Sequence, residues 1–550
     1  MRAGLRHFFA GFRRDISWTT RSQRVWFHLW GICLSLYLTY ALYWAGSSLL
    51  TSSLKSIEAL VWGLIIALLI YLGFLRICRL AVHGLPWVSS QRGRLSPLFF
   101  AVCMGLGLLM VSGSFLAAYP GGVSYDVYNQ WTQARTGLYN SWHPVLHTLL
   151  MGLGARITGG SYSWVLLLQI FIVCGAVAYL MSTLQAWGMP RLLLLILEGL
   201  MMASSLISGT MMYLWKDNAM TVGALVLCTQ CVNVYFSRGT WLTKWSNAAL
   251  MGFALAFATL VRHNGMFYTV PLLLCLLLVY GKPIKKLLPL AGVFVLASGL
   301  VLGPLYGNLD IVHPHNTYEE SIGLPMTVLM NARAKNPSAL EKETQVFLAG
   351  LVHEDTFRSR YRPGDYNSIK FTYPREKITV VPPQELMGMV ISTIRNDPRG
   401  ALEAVNQLTD LVWDVTGKNE AVVAVGNSGD LPDVPAQNSR INRLGQAFDG
   451  FLRGMMDFAP LAWLFENIGV QMALLLLGAL WALYRKGEGA LLLALPVLAY
   501  NIGTMLLLCG NDARFFQFSM VISLPSLLVL CQQRPSPDAD DLLPITREEE

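Results

Sequence analysis

The chain contains twelve apolar stretches that are long enough, or nearly long enough, to cross the hydrocarbon of a membrane. A helix needs about 20 residues to span about 30 Å of hydrocarbon, and in lipid the backbone must satisfy its own hydrogen bonds. The composition agrees, since 54% of the residues are hydrophobic and only 13% are charged, against about 25% in soluble domains. The sequence therefore predicts an all-α polytopic membrane protein. The predicted spans lie at 26–46, 57–77, 96–118, 162–185, 191–209, 217–236, 247–261, 265–280, 286–306, 466–485, 489–509 and 513–531.

The formal net charge of +8 does not indicate a nucleic-acid partner, because the basic residues concentrate beside the predicted spans. Six arginines precede the first span, where they favour a cytoplasmic N-terminus near anionic lipid. That span is long and has no small-residue cleavage site, so we expect an uncleaved anchor. The acidic tail at 532–550 is expected to be cytoplasmic and solvated. The six arginines are Arg2, Arg6, Arg13, Arg14, Arg21 and Arg24.

Positive charge in short loops indicates which ends of the spans are cytoplasmic. Four arginines lie at the end of the second predicted span and in the loop after it, so that loop is expected inside the cell and residues 119–142 outside. Three later loops are also basic, and we expect them to be cytoplasmic too. The basic residues concerned are Arg76, Arg79, Arg92, Arg94, Arg238, Lys244, Lys282, Lys285, Lys286, Arg485 and Lys486.

The segment from His143 to Thr158 decides whether these assignments are compatible. It is apolar but only about 24 Å long as a helix. If it crosses the membrane, the basic loops at 238–244 and 282–286 lie outside. If it is a re-entrant or juxtamembrane helix, every basic loop lies inside. We adopt the second interpretation, which gives about 12 spans with both termini cytoplasmic.

This topology divides the chain into five parts. Residues 1–95 hold the basic N-terminus and two additional spans, and 96–306 form a transmembrane core whose first exterior loop is 119–142. Residues 307–463 form an extracytoplasmic, mostly helical domain, 464–531 hold the C-terminal spans, and 532–550 are the tail.

The predicted extracytoplasmic domain carries local signals of its own. Asp397-Pro398 is typical of a helix start, with an N-cap aspartate and proline at the first helical position. The amphipathic stretch 444–458 is expected to lie along the membrane surface. Residues 419–438 are rich in Gly, Asp, Pro and Asn, and are expected to form a loop.

Four short polar motifs stand at the span ends that are expected to be exterior. Charge near lipid is expensive, so an ionisable residue there marks a candidate functional site. Together the motifs place carboxylates and cations at one depth, which suits a ligand with an anionic head and a lipid tail. The motifs are SYDVYN from Ser124, WKDN from Trp215, RHNG from Arg262 and NDAR from Asn511.

Asp126 is the candidate catalytic residue. It follows the turn-forming residues 119–122 directly after a predicted span. A carboxylate in a partly dry cleft can take a proton from an incoming hydroxyl. The alternative is that Asp126 caps a juxtamembrane helix. Tyr125, Asn129 and His143 are candidate supporting residues.

The other motifs supply candidate ligands for a phosphate. Lys216, Arg262 and Arg514 are basic and are expected to lie at the same membrane face. The alternatives are a Lys216–Asp217 pair that neutralises itself and an arginine that only snorkels to the surface. The candidate supporting residues beside these cations are Asp217, His263 and Asp512.

A metal site has weaker support. His143 and His147 lie one helical turn apart, but no third ligand follows at a telling spacing. Any metal is left unknown, and a divalent cation remains an option.

These motifs resemble the GT-C superfamily of integral membrane glycosyltransferases. The chain is similar to its protein mannosyltransferase-like and aminoarabinose-transferase-like branches, and to an uncharacterised bacterial branch that shares WKDN and RHNG. The family's second acidic residue and second proline are replaced by Val127 and Val145. The matching segments are SYDVYN at 124–129, WHPVLHTLL at 142–150 and ARFFQFSMVISLP at 513–525.

The resemblance implies a GT-C-like bundle from about Ser96 onward and inverting glycosyl transfer. Asp126 would activate the acceptor, while Lys216, Arg262 and Arg514 would stabilise the departing phosphate. The implied partners are a polyprenyl-phosphate-linked sugar donor, the lipid bilayer and an extracytoplasmic acceptor, which is a cell-envelope glycan, lipid or protein.

Three other functions stay open. Twelve spans with buried charge also describe transporters and lipid flippases, although these usually hold their charges near the middle of the bilayer. A polysaccharide polymerase or ligase would use related chemistry with a glycan chain as donor. A noncatalytic scaffold would not need concentrated charge at lipid depth.

Overall fold

The protein is described from a computed structural model over residues 21–47, 53–80, 85, 89, 92–280, 287–313, 318–417, 439–485 and 488–532. The predicted loop at 419–438, the arginines from Arg2 to Arg14, the lysines at 282–286, Lys486 and nearly all of the acidic tail lie outside these residues. The described part is helical, and its β-bridges are isolated pairs.

The helices that build the membrane bundle follow one another in simple chain order. They are α1 (Arg21–Leu42), α2 (Ser53–Leu80), α3 (Pro97–Ala118), α4 (Tyr125–Thr136), α5 (Val145–Ile157), α6 (Tyr162–Ala186), α7 (Arg191–Ala203), α8 (Ser205–Met211), α9 (Lys216–Phe236), α10 (Trp245–Leu260), α11 (Met266–Tyr280) and α12 (Leu288–Leu300). A π-helical turn, Val301–Leu305, continues α12.

The remaining helices form a polar domain and the C-terminal part of the bundle. The polar domain contains α13 (Gly323–Lys335), α14 (Lys342–Leu351), α15 (Glu354–Arg360), α16 (Asn367–Lys370), α17 (Glu376–Thr379), α18 (Pro383–Asn396) and α19 (Pro398–Trp413). The bundle resumes with α20 (Ser439–Met456), α21 (Ala459–Phe465), α22 (Ile468–Tyr484), α23 (Leu491–Met505) and α24 (Gln517–Cys531).

The protein is a multi-pass helical membrane protein. Eight stretches in the described part are long and apolar enough to cross a membrane alone, and ten if each of two bent helix pairs counts as one crossing. These pairs are α7 with α8, bent by 64°, and α21 with α22, bent by 70°. The predicted spans at 247–261 and 489–509 coincide with α10 and α23, which are apolar but only 16 and 15 residues long. The total of about 12 crossings therefore stays a prediction.

Helix α5 lies at one end of the bundle, as the sequence predicts for a juxtamembrane helix. Its 13 residues reach only about 20 Å. Before it, His143 Nδ1 lies 3.2 Å from Lys216 Nζ at the start of α9. After it, the Tyr162 hydroxyl donates to the Gly122 carbonyl at 2.5 Å, and the Gly122 amide donates to Met212 at 2.8 Å. Both ends of α5 therefore meet the same loops, and we call this end of the bundle the site end.

The opposite end gathers the described parts of the loops that were predicted to be cytoplasmic. The Ser89 amide donates to the Trp187 carbonyl at 2.8 Å. Arg485 donates from Nη1 to the Gln532 carbonyl at 2.7 Å, and Gln532 forms a bridge with Leu85. These contacts bring the described parts of these loops together at one end of the bundle.

The polar domain has its own apolar core and is attached to the site end. Met326 and Leu329 of α13 and Leu386 of α18 are fully or almost fully buried within it. Asp397 caps α19 by accepting from the Gly400 amide at 2.8 Å, so the predicted helix start is confirmed. The domain reaches the bundle where the Asn367 amide donates to the Cys509 carbonyl at 3.0 Å.

Helix α20 differs from the sequence expectation that residues 444–458 lie along the membrane surface. The structure packs α20 lengthwise against α3. Asn442 Nδ2 donates to the Ala117 carbonyl at 2.9 Å, and the Ser114 hydroxyl donates to Asp449 at 2.5 Å. Gly113 and Gly445 leave room for the two backbones to approach closely. The polar face of this amphipathic helix is therefore used against another helix.

Candidate active site

A tight connection between α3 and α4 places Asp126 at the site end. Gly121 adopts a positive φ of 125°, which a residue with a side chain rarely adopts. Ser124 then caps α4 by accepting from the Val127 amide at 3.3 Å, and its hydroxyl also accepts from Trp215 Nε1 at 2.7 Å. Asp126 consequently sits in the first turn of α4, beside the start of α9.

The carboxylate of Asp126 lies between two cations from distant parts of the chain. Its Oδ2 atom is 3.6 Å from Lys216 Nζ and 3.3 Å from Arg514 Nη1. The side chains are partly accessible, with exposed fractions of 26% for Asp126, 16% for Lys216 and 18% for Arg514. The structure thus brings together Asp126, Lys216, Arg514 and, through Lys216, His143.

These neighbours determine the protonation states at the site. Burial alone would raise the pKa of Asp126, but the charges of Lys216 and Arg514 outweigh it and hold the pKa well below the usual carboxyl range. Burial, together with the charge of Lys216, lowers the pKa of His143 to about 3. Asp126 is therefore ionised and weakly basic in the free protein, while His143 is a neutral acceptor for Lys216.

Arg514 is held by a carboxylate and two aromatic rings. Its Nε lies 2.8 Å from Asp512 Oδ2, and its guanidinium carbon is 4.8 Å from the ring centroid of Trp215 and 4.9 Å from that of Phe515. Trp215 in turn stacks on Tyr213 at 4.0 Å. The guanidinium plane is thereby oriented before any ligand arrives.

Arg262 and Asp217 form a separate ion pair beneath the site. Their side chains contact each other directly and are only 4% and 3% exposed. The guanidinium carbon of Arg262 lies 5.0 Å from the ring centroid of Phe515, the ring that Arg514 also approaches. Asp217 therefore partners Arg262, and Lys216 faces Asp126 instead.

The other predicted residues lie around this centre. Tyr125 is 77% exposed on the same turn as Asp126. Asn129 accepts from Gln133 Nε2 at 2.6 Å and so supports α4. His263 is exposed beside the Trp142 backbone.

The two histidines of the candidate metal pattern do not belong to a metal-binding cluster in the described residues. His147, one of the two histidines in the candidate metal pattern, is buried and hydrogen-bonds through Nδ1 to Gln130 Oε1 at 2.7 Å. No group of three or more His, Cys, Asp or Glu side chains that could hold a metal ion occurs in the part of the chain described by the structure.

The polar domain holds the loop that leads to Arg514, and the sequence carried no local signal for this contact. Asn511 Nδ2 donates to Asp410 Oδ1 at 2.7 Å, close to the bond between the Asn367 amide and Cys509. On the other side of the site, Arg375 lies over the Trp142 ring at 4.2 Å. Trp215, by contrast, was visible in the WKDN motif, but its stacking role was not predicted.

We expect Asn511→Ala to loosen the loop at 506–512. Removing the contact to Asp410 should lower the local opening free energy by about 1 kcal/mol, which corresponds to roughly fivefold faster amide exchange. Hydrogen exchange with mass spectrometry measures this. Asn367→Ala is a matched control because it keeps the backbone bond to Cys509; equal exchange in both variants and the wild type would contradict a role for Asn511.

Comparisons with known proteins leave the family open. No protein-family model matches the chain, and no curated protein matches it. A solved structure, the arabinosyltransferase EmbB from Mycobacterium smegmatis, is similar over 79% of this chain with 14% sequence identity and a TM-score of 0.31. The match covers 45% of the EmbB chain, so the chain corresponds to less than half of that protein.

Proposed function

We propose that the protein is a membrane glycosyltransferase that moves a sugar from a polyprenyl-phosphate donor to an extracytoplasmic acceptor with inversion. The observation that supports this best is the position of the Asp126 carboxylate, within 4 Å of both Lys216 and Arg514 at the end of an apolar bundle. A base next to two cations suits the attack of a hydroxyl on a carbon that carries a phosphate.

In the proposed reaction, an acceptor hydroxyl gives its proton to the Asp126 carboxylate. The acceptor oxygen forms a bond to the anomeric carbon on the face opposite the phosphate. The bond between that carbon and the phosphate oxygen breaks, and its electron pair leaves with the phosphate. Lys216 and Arg514 stabilise the negative charge that grows there, so no strong general acid is needed.

A lipid-linked donor fits the surroundings of these cations. Lys216 begins the membrane-spanning helix α9, and Arg514 lies in the short turn that leads into α24. An anionic head bound between them would leave a polyprenyl tail free to lie along apolar helices. The proposal assigns Arg262 an indirect part, because its guanidinium is already engaged by Asp217.

The proposed orientation puts the site end outside the cytoplasm. The polar domain is attached to this end, while Arg485 and Arg92 belong to loops at the opposite end. Basic residues in short loops favour the cytoplasmic side. The acceptor would then be a cell-envelope glycan, lipid or protein that approaches from the side of the polar domain.

The proposal predicts that Lys216→Met slows transfer about a hundredfold, since removing one such electrostatic donor costs about 3 kcal/mol in the transition state. The measurement uses purified protein with a panel of labelled polyprenyl-phosphate sugars and cell-envelope acceptors. Lys335→Met is the matched control, because Lys335 pairs with Glu403 on the surface of the polar domain.

Three outcomes would contradict the proposal. Equal rates of transfer by wild type and Lys216→Met would show that Lys216 does not stabilise the departing phosphate. Movement of a lipid-linked sugar across vesicle membranes, without transfer to any acceptor, would make the protein a transporter or flippase instead. Transfer from glycan-chain donors alone would indicate a polymerase or ligase.

A further inference from the structure

The two cations proposed to bind phosphate converge on a single oxygen of the proposed base. Lys216 Nζ and Arg514 Nη1 lie 3.6 and 3.3 Å from Asp126 Oδ2. A phosphate oxygen bound by the same two groups would need the position that this carboxylate oxygen holds. The base and the ligand anion therefore have the same partners.

The charges of the site are already balanced in the free protein. Three cations face three carboxylates: Arg262 pairs with Asp217, Arg514 with Asp512 and Asp126, and Lys216 with Asp126. An arriving phosphate adds negative charge to this neutral cluster. Negative charges that contact the same cations repel each other strongly in a partly dry site. One carboxylate must therefore move away from its cations when the phosphate binds.

Asp126 is the carboxylate that a phosphate can displace from its cations. Asp217 is enclosed with Arg262 beneath the site. Asp512 is tied to its own turn, since it accepts from the Arg514 amide at 3.1 Å and also contacts Arg514 Nε. Asp126 makes the two longest ion contacts of the cluster, and both of them go to the cations that the phosphate would use.

We propose that the donor phosphate displaces Asp126 from Lys216 and Arg514, so that Asp126 becomes an effective base only after the donor has bound. This inference rests on the proposed function for its catalytic meaning, but the competition itself concerns only an anion and three side chains. It makes the order of events compulsory: the phosphate first releases the carboxylate, and the released carboxylate then accepts the proton of the acceptor.

The physical reason is the change in the charges that face Asp126. In the free protein Lys216 and Arg514 stabilise its ionised form, and the neighbouring His143 is neutral. Once the phosphate neutralises these cations, the ionised form of Asp126 loses that stabilisation and its affinity for a proton rises. A protein without donor would therefore activate neither acceptor nor water.

The competition can be tested by binding alone, with farnesyl phosphate as the probe and farnesol as the reference without phosphate. Binding is measured by titration calorimetry on the full chain in nanodiscs. Asp126→Asn and Asp126→Ser should each bind farnesyl phosphate about tenfold tighter than wild type, a typical coupling between two competing interactions. The second variant guards against a folding defect peculiar to the first, and farnesol should bind all proteins alike.

Two controls separate competition from a general gain in positive charge. Asp512→Asn removes an equally close negative charge but keeps an oxygen that can accept from the Arg514 amide. We therefore expect its affinity for farnesyl phosphate to rise threefold at most. Asp355→Asn changes an exposed, distant carboxylate and should leave affinity unchanged.

Every result of these titrations either supports or overturns the competition between Asp126 and the phosphate. If Asp512→Asn gains as much affinity for farnesyl phosphate as Asp126→Asn does, the loss of any nearby negative charge explains the effect, and the inference is overturned. Unchanged or weaker binding by both Asp126 variants would also overturn it, as would wild-type and variant proteins that fail to bind the probe. If the Asp126 variants bind more tightly but no sugar donor supports transfer, the competition stands and the proposed enzymatic function fails.

Discussion

Asp126→Asn is expected to abolish transfer while leaving the lipid donor bound. Asparagine keeps the shape of aspartate but accepts no proton at neutral pH, so the acceptor hydroxyl stays protonated. General-base catalysis contributes about 10²- to 10⁴-fold in rate, and we expect a loss of at least about 10³-fold. The measurement is transfer of labelled sugar under saturating donor, with donor binding recorded on the same preparation.

The choice of control decides how this result is interpreted. Asp457→Asn makes the same chemical change at an exposed position that follows α20 and should transfer like wild type. Turnover at the wild-type rate in Asp126→Asn would contradict the assignment of the base. Loss of donor binding together with transfer would instead indicate that Asp126 organises Lys216 and Arg514 for the phosphate.

The positions of the helices could be predicted because length and apolarity are local properties. Each predicted span overlaps an apolar helix or helix pair, and the convergence of the four motifs followed from alternating span directions. The bends could not be predicted in this way. The Glu466 carboxylate accepts from the Ser205 amide at 2.6 Å and from the Ser205 hydroxyl at 2.9 Å, so it caps α8 from more than 250 residues away.

The pairing of charges within the site also could not be predicted from the sequence. Lys216 and Asp217 are neighbours in the chain, which suggested that they neutralise or orient each other. On a helix, however, consecutive side chains diverge by about 100°. The structure shows the consequence, because Lys216 faces Asp126 on α4 and Asp217 faces Arg262 at the end of α10.

The contacts made by the polar face of α20 also could not be predicted from its amphipathic pattern. Such a pattern indicates that one face is apolar, but it does not say whether the polar face meets water or another helix. Here Asn442 and Asp449 form hydrogen bonds with α3 and the turn after it, while Leu444 and Phe451 are exposed. Exposed apolar side chains beside a membrane span are the expected boundary with lipid.

Removing one partner of the buried Arg262–Asp217 pair should strongly destabilise the site end. Asp217→Asn leaves the Arg262 guanidinium almost fully buried without a compensating charge, and breaking a buried pair in this way costs about 3–5 kcal/mol. We therefore expect a large drop in the free energy of unfolding, measured by chemical denaturation of the purified protein in mixed micelles. Replacing both partners, as in Asp217→Leu with Arg262→Met, should recover most of that loss, because two apolar side chains leave no buried charge unpaired.

The same double variant shows whether Arg262 acts on the phosphate. Arg262 is engaged by Asp217 and approaches Phe515, the ring that also orients Arg514, so its removal should slow transfer much less than Lys216→Met does. A stable double variant that loses transfer about a hundredfold would place Arg262 among the direct phosphate ligands. A double variant as unstable as Asp217→Asn would show that the pair contributes specific geometry that apolar packing does not replace.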